Sequence, residues 1–171
     1  MIPIIIYSNR FILKELSLGD VSARYLSWIN GPSKSLYIEY SSQNRTLDEV
    51  RNYVIKRTND KQALFLGIFT RDQKEHIGNI KYEPIDFKNK TAIMGVLIGE
   101  ENWRGKGVAS EVIKSSSEWL GRRHGISQIC LGVDSDNVAA IKAYEKIGFK
   151  SKKISHIIPA RKGSITMTMT P

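Results

Sequence analysis

The chain has 171 residues, 41% hydrophobic and 25% charged, enough for one domain with its own core and the balance of a folded globular protein rather than a disordered or fibrous one. Lysine and arginine outnumber aspartate and glutamate 26 to 17, so an anionic partner is expected: nucleic acid, a membrane surface or a phosphorylated small molecule. The single cysteine, Cys130, excludes an internal disulfide and a cysteine-built zinc site.

In chain order, the apolar start from Met1 to Ile6 has no basic residue ahead of it and is broken by Pro3, so it does not read as an export signal. No stretch nears the ~20 apolar residues that a bilayer crossing needs, and the cytoplasm is the expected compartment. Residues 9–16 predict a strand. Asp20 then opens an amphipathic helix over 21–30, closed by Gly31 and Pro32. Thr46 and Glu49 form the capping box of a second helix, with Leu47, Val50 and Val54 on its buried side.

Residues 63–69, 76–83 and 91–99 read as three antiparallel strands joined by polar links. Val108, Val112, Ser116, Trp119 and Leu120 share the face of a third helix, and Arg122, Arg123 and His124 suit its negative end before Gly125. A strand over 128–134 carries Cys130 in an apolar run as an inert thiol, and a helix over 138–147 stops at Gly148. Alternation at 153–158 and 164–170 predicts two closing strands around a loop at 159–163. The last of these suits pairing either inside the sheet or across a homodimer. No internal repeat or linker-like tract divides the chain, so residues 1–171 read as a single domain.

Two segments carry chemistry. Between the strand at 91–99 and the third helix lies Asn102-Trp103-Arg104-Gly105-Lys106-Gly107-Val108-Ala109, basic and punctuated by glycine. Glycines let the main chain approach phosphate oxygens, first-turn amides and the helix dipole supply donors and positive field, and Arg104 and Lys106 add counter-charge. Neither a Walker loop nor a dinucleotide fingerprint fits, which disfavours an ATP or NAD site. Taken alone, the glycine pair equally describes a tight strand-to-helix turn with solvated basic side chains. In the second segment, Asn137, Ile141 and Tyr144 fall on one side of the last helix. Alone, these would be a helix cap and a core tyrosine.

Together, Arg104-Gly105-Lys106-Gly107-Val108-Ala109 matches the R/Q-x-x-G-x-G/A signature of the GNAT superfamily of N-acetyltransferases, and Asn137 through Tyr144 to Gly148-Phe149 resembles its N-x-x-A-x-x-x-Y-x-x-x-G-F helix. The resemblance covers essentially the whole chain, because the order of strands and helices is also that superfamily's. Tyr25 to Pro32, Ile77 to Lys81 and Pro84-Ile85-Asp86 further resemble the branch containing ribosomal-protein alanine acetyltransferases and amino-sugar acetyltransferases of surface-polysaccharide pathways.

The resemblance implies a mixed α/β fold: a twisted, mostly antiparallel sheet of about six or seven strands, about four helices, and a splayed parallel pair at the cofactor site. Acetyl-CoA, with no metal, would lie between the strands at 91–99 and 128–134. Main-chain groups near Leu97 and Ile98 would hold the pantetheine, and the amides from Arg104 through Gly105, Lys106, Gly107 and Val108 to Ala109 the pyrophosphate. A deprotonated amine would attack the thioester directly. By motif position Tyr144 is the general acid, and Asn137 binds the pantetheine arm or orders a water.

The strand at 92–97 lacks the glutamate that several relatives carry there. Glu83 is the first substitute as general base, with Glu39 and His76 behind it, although each equally suits a solvated carboxylate or a strand-end histidine. The positive surplus points to a small anionic amine acceptor, first a nucleotide-linked amino sugar. Acetylation of a peptide amine is the alternative. A non-catalytic CoA sensor would keep the loop without needing Tyr144 as an acid. Nucleic acid is disfavoured, because the basic residues are scattered rather than gathered on one helix.

Overall fold

The structure, a computed structural model, describes residues 3–31, 44–154 and 163–171. Strand β3 (Leu64–Thr70) is buried along its whole length. The two-residue period of a strand divides it between two cores: Leu64, Leu66 and Ile68 enter one, Phe65 and Phe69 the other. The sheet around it runs β1 (Ile5–Tyr7), β2 (Phe11–Glu15), β3, β4 (His76–Asp86), β5 (Thr91–Ile98), β6 (Gln128–Asp134), β8 (Ser164–Met169), β7 (Lys150–Ser151). Neighbours are antiparallel except β5 and β6, which are parallel.

Helices α1 (Ala23–Asn30) and α2 (Leu47–Thr58) bury Tyr25, Trp28, Ile29, Val50 and Val54 against Phe65 and Phe69. Helix α3 (Val108–His124) covers the other face with Val112, Ile113 and Leu120, all essentially without solvent contact, each contributing about 1.5–3 kcal/mol by burial. Helix α4 (Val138–Ile147) packs on that same core through Ala140, Ile141, Tyr144 and Ile147. The Tyr82 hydroxyl, buried, lies 2.8 Å from Ser116 Oγ and ties β4 to α3.

The structure differs from the sequence reading at several boundaries. The first helix begins at Ala23, capped by Ser22, whose hydroxyl accepts from the Tyr25 amide. Asp20 instead ends a short 3-10 turn, Leu18–Asp20, where its carboxylate accepts from the Ser17 amide and hydroxyl and pairs with Lys14 at 3.2 Å. The apolar start contributes the edge strand β1. Strand β4 continues to Asp86, past a register shift between Tyr82 and Ile85. The strand expected over 153–158 is replaced by the two-residue β7 at 150–151; residues 153 and 154 are not in a strand, and 155–158 lie outside the described residues. With β1 and β7 the sheet has eight strands among the described residues. Strand β8 pairs on both sides at Met167 and Thr168, with β6 and with β7, so those residues present no free edge to a second copy.

Candidate active site

Strands β5 and β6 pair over only three positions, Thr91 with Gln128, Ala92 with Ile129 and Ile93 with Cys130, and then part. Beyond that point the facing edges of 94–98 and 131–134 make no ladder, and a slot opens in the sheet. Gly95 and Gly132, one on each diverging strand, are exposed, and a β-carbon on either would meet no atom within 4 Å. Leu97 and Ile98 lie on the β5 wall of this slot, paired on their other side with Asn79 and Gly78.

At its end the chain turns through Glu101–Trp103 into the glycine loop and α3. Gly105 (φ +70°) and Gly107 (φ +74°) are both left-handed, a conformation that side-chain-bearing residues adopt at a cost. Gly107 is the N-cap of α3 and offers no capping side chain, so the first-turn amides of Val108, Ala109 and Ser110 stay open to an incoming acceptor. Open amides at a positive helix end, reached through glycine, fit the diphosphate of CoA.

The basic side chains of the loop behave differently from one another. Arg104 turns back on the end of β5, its Nε donating to the Ile98 carbonyl at 3.0 Å and Nη2 to the Gly99 carbonyl at 3.2 Å, while its own amide donates to the Glu101 carbonyl. It therefore clips the loop to the strand. Lys106 is exposed, its ammonium 5.7 Å over the Trp103 ring.

Across the slot, Asn137 caps α4: its Oδ1 accepts from the Ala140 amide at 3.2 Å, and its NH₂ has no partner among the described residues. Tyr144 lies two turns further along the same face, its ring edge-on to Phe149 at 5.6 Å. Burial raises the pKa of its phenol above the ordinary value, and the hydroxyl makes no hydrogen bond among the described residues. Cys130 is buried beside the slot's closed end and its thiol is pushed up to about 11 by burial, which leaves it inert at neutral pH.

The base candidates separate. Glu83 stands within β4, at its register shift, between two cations, Lys81 Nζ at 2.8 Å and Arg57 Nε at 3.3 Å. Burial works to raise its pKa, but the Lys81 hydrogen bond and both charges outweigh it and hold the carboxyl below its usual range. Lys81 is the cross-strand neighbour of Gly95, which puts the cluster on β4, one strand in from the slot. His76 lies in an aromatic nest, stacked on Phe69 at 4.7 Å with Trp28 and Tyr25 edge-on. Burial lowers its pKa, and since both Nε2 partners, the Gly78 carbonyl and Asn79 Oδ1, accept, Nε2 carries the proton and Nδ1 is left without a partner. Glu39 lies outside the described residues. Sequence reading missed Arg57 and Lys81 as a pair, since 24 positions separate them and Arg57 sits in no motif.

Among the described residues no group of three or more His, Cys, Asp or Glu could hold a metal ion, and no helix is long and apolar enough to cross a membrane. The sequence pattern of the acetyltransferase (GNAT) domain matches residues 10–150. A Bacillus subtilis (strain 168) protein called uncharacterized N-acetyltransferase YoaA is 28% identical over 156 residues, 90% of this chain and 86% of its own. Another, uncharacterized N-acetyltransferase p20 of Bacillus licheniformis, is 24% identical over 165 residues, 94% and 90% of the two chains. Of solved structures, the ribosomal L7/L12 α-N-protein acetyltransferase RimL, in complex with coenzyme A, superposes with a TM-score of 0.82 at 19% identity over 98% of each chain. A chimera of the spermidine N-acetyltransferase SpeG from Vibrio cholerae and hSSAT gives 0.76 at 22% identity over 95% and 96%. With the domain pattern covering most of its length and the parallel pair opening where that fold opens it, the chain belongs to the GNAT family and is an acetyltransferase enzyme.

Proposed function

We propose that this enzyme transfers acetyl from acetyl-CoA to the amine of a small anionic acceptor, a nucleotide-linked amino sugar first among them. The observation that carries the proposal is the slot between β5 and β6 ending in the glycine loop. Main-chain groups near Leu97 and Ile98 line the pantetheine path, and the amides of Gly105, Lys106, Gly107, Val108 and Ala109 take the diphosphate, with Arg104 holding the loop in place. The NH₂ of Asn137 donates to the pantetheine arm. Acetyl-CoA supplies an activated acetyl group. The amine nitrogen bonds to the thioester carbon, the carbon–sulfur bond breaks, and the departing thiolate takes the Tyr144 proton. A raised phenol pKa keeps that proton in place at neutral pH. Glu83 takes the amine's proton through water: the two cations keep it ionised and able to accept, and they also limit how strongly it does so.

The acceptor's charge follows from the same cluster. Arg57 and Lys81 against Glu83 leave one positive charge on the strand next to β5, within a chain of net charge +9. Such a wall favours a phosphate- or carboxylate-bearing acceptor and repels a polycation such as the spermidine named for SpeG. Acetylation of a peptide amine, the activity named for RimL, is the second reading, favoured by the closeness of that superposition. Thiol release from acetyl-CoA is measured against nucleotide amino sugars, free amino sugars, spermidine and peptides with free N-termini. Turnover confined to peptides overturns the amino-sugar reading, and binding without turnover across the panel leaves a CoA sensor.

A further inference from the structure

Glu111, in the first turn of α3, gathers three donors: Ser8 Oγ at 2.7 Å, the Arg10 amide at 2.6 Å and Arg10 Nε at 2.7 Å. The clamp grips the guanidinium by its Nε edge and leaves both terminal nitrogens without a hydrogen-bond partner among the described residues. The group also rests over the Phe11 ring at 4.9 Å, and Phe11 is itself buried edge-on to Trp103 of the loop. Its Nη2 faces the loop, 3.7 Å from where a β-carbon on Gly107 would stand. Arg104 is committed to carbonyls and Lys106 is exposed, so Arg10 is the cation with free donors that is held rigidly against the loop.

We propose that Arg10 is a further residue of the cofactor site, donating through its Nη edge to a phosphate of CoA, with Glu111 as its positioning residue. The inference rests on reading the loop as the diphosphate cradle. A phosphate oxygen on the amides that follow Gly107 lies within hydrogen-bond reach of a guanidinium this close, and the planar fork of arginine matches phosphate geometry. Because Glu111 already fixes the side chain, little rotamer freedom remains to be lost on binding. Glu111 also balances the charge, so the contact works as a directed donor more than as bulk attraction.

CoA carries two phosphate sources, the diphosphate and the ribose phosphate, and dephospho-CoA, which lacks the latter, separates them. Calorimetric titration of the full chain with CoA is expected to show a Kd about tenfold higher for Arg10→Gln, about threefold higher for Arg10→Lys, which keeps charge but loses the fork, and a shallower salt dependence for Arg10→Gln. An equal loss with dephospho-CoA assigns the contact to the diphosphate; a loss seen only with CoA assigns it to the ribose phosphate. Unchanged Kd and salt dependence in Arg10→Gln overturn the proposal. If that variant melts early, an unchanged Kd in Arg10→Lys overturns it equally. Failure of the unsubstituted chain to bind CoA at all sinks the cradle reading, and Arg10 with it, whereas loss confined to the variants leaves the cradle standing.

Discussion

Lys81 and Glu83, two residues apart on β4, meet at 2.8 Å one strand in from the slot, and Arg57 of α2 reaches the same carboxylate oxygen at 3.3 Å. Alternation along a strand places residues i and i+2 on one face, so a Lys-x-Glu on the strand next to β5 supplies an anion and its counter-ion at once.

Glu83→Gln is expected to lower kcat/KM for the amine about 10²-fold and to flatten the acid limb of its pH profile, leaving the Kd of CoA unchanged. An unaltered pH profile removes Glu83 from proton transfer. The carboxyl is held below its usual range in the folded chain, so the stability it lends is present above that range and is lost as pH falls through the folded pKa. Glu83→Gln should therefore cost about 1 kcal/mol near neutrality and converge with the unsubstituted chain in acid, as urea unfolding at a series of pH values would record.

Tyr144→Phe removes the proton donor and nothing that holds the ring, whose contact is the edge of Phe149. We expect kcat to fall about 10²-fold or more, with CoA binding and thermal unfolding unchanged. Retained turnover would assign sulfur protonation to water.

Gly95→Val and Gly132→Val place a β-carbon where no atom of the described residues lies within 4 Å. Folding should tolerate them, apart from a modest change in strand propensity of up to about 1 kcal/mol, and CoA binding should be lost. Normal affinity in both variants would move the pantetheine out of the slot.

Gly107→Ala introduces no clash, because the nearest atom to the new carbon is Arg10 Nη2 at 3.7 Å. The cost is conformational, about 1–2 kcal/mol at φ +74°. Asparagine, which tolerates this region, should recover part of the stability. Equal melting temperatures for glycine and alanine at 107 would contradict the backbone reading.

Much of this was readable from residue order because the carriers are contiguous. The capping box at Thr46 and Glu49, the glycine loop from Arg104 to Ala109 and the Asn137 to Tyr144 face each lie within one turn or one helix, and all stand where expected. Two helix starts compete at residues 17–23, since Ser17 with Asp20 and Ser22 ahead of Ala23 both look like caps; the 3-10 turn takes the first. Strand β1 was illegible because an apolar run of a few residues has no period of its own. Strand β7 is two residues long and exists only because β8 lies beside it. The pair Arg10 and Glu111 is 101 residues apart in sequence, and no local rule reports a contact made by folding. Arg104 is a related case: its charge suggests an anion, and in the fold its side chain donates to the two carbonyls at the end of β5.

The parallel seam is three pairs long, and among the described residues it is the only ladder joining β1 to β5 with β6, β8 and β7. Mechanically the sheet is two slabs hinged at Thr91 to Ile93, and whatever fills the gap acts as a wedge that braces both. Substrate occupancy should therefore stiffen the protein across its whole width: amide exchange should slow on β6 and β8 as well as at the loop, and the melting temperature should climb with CoA concentration.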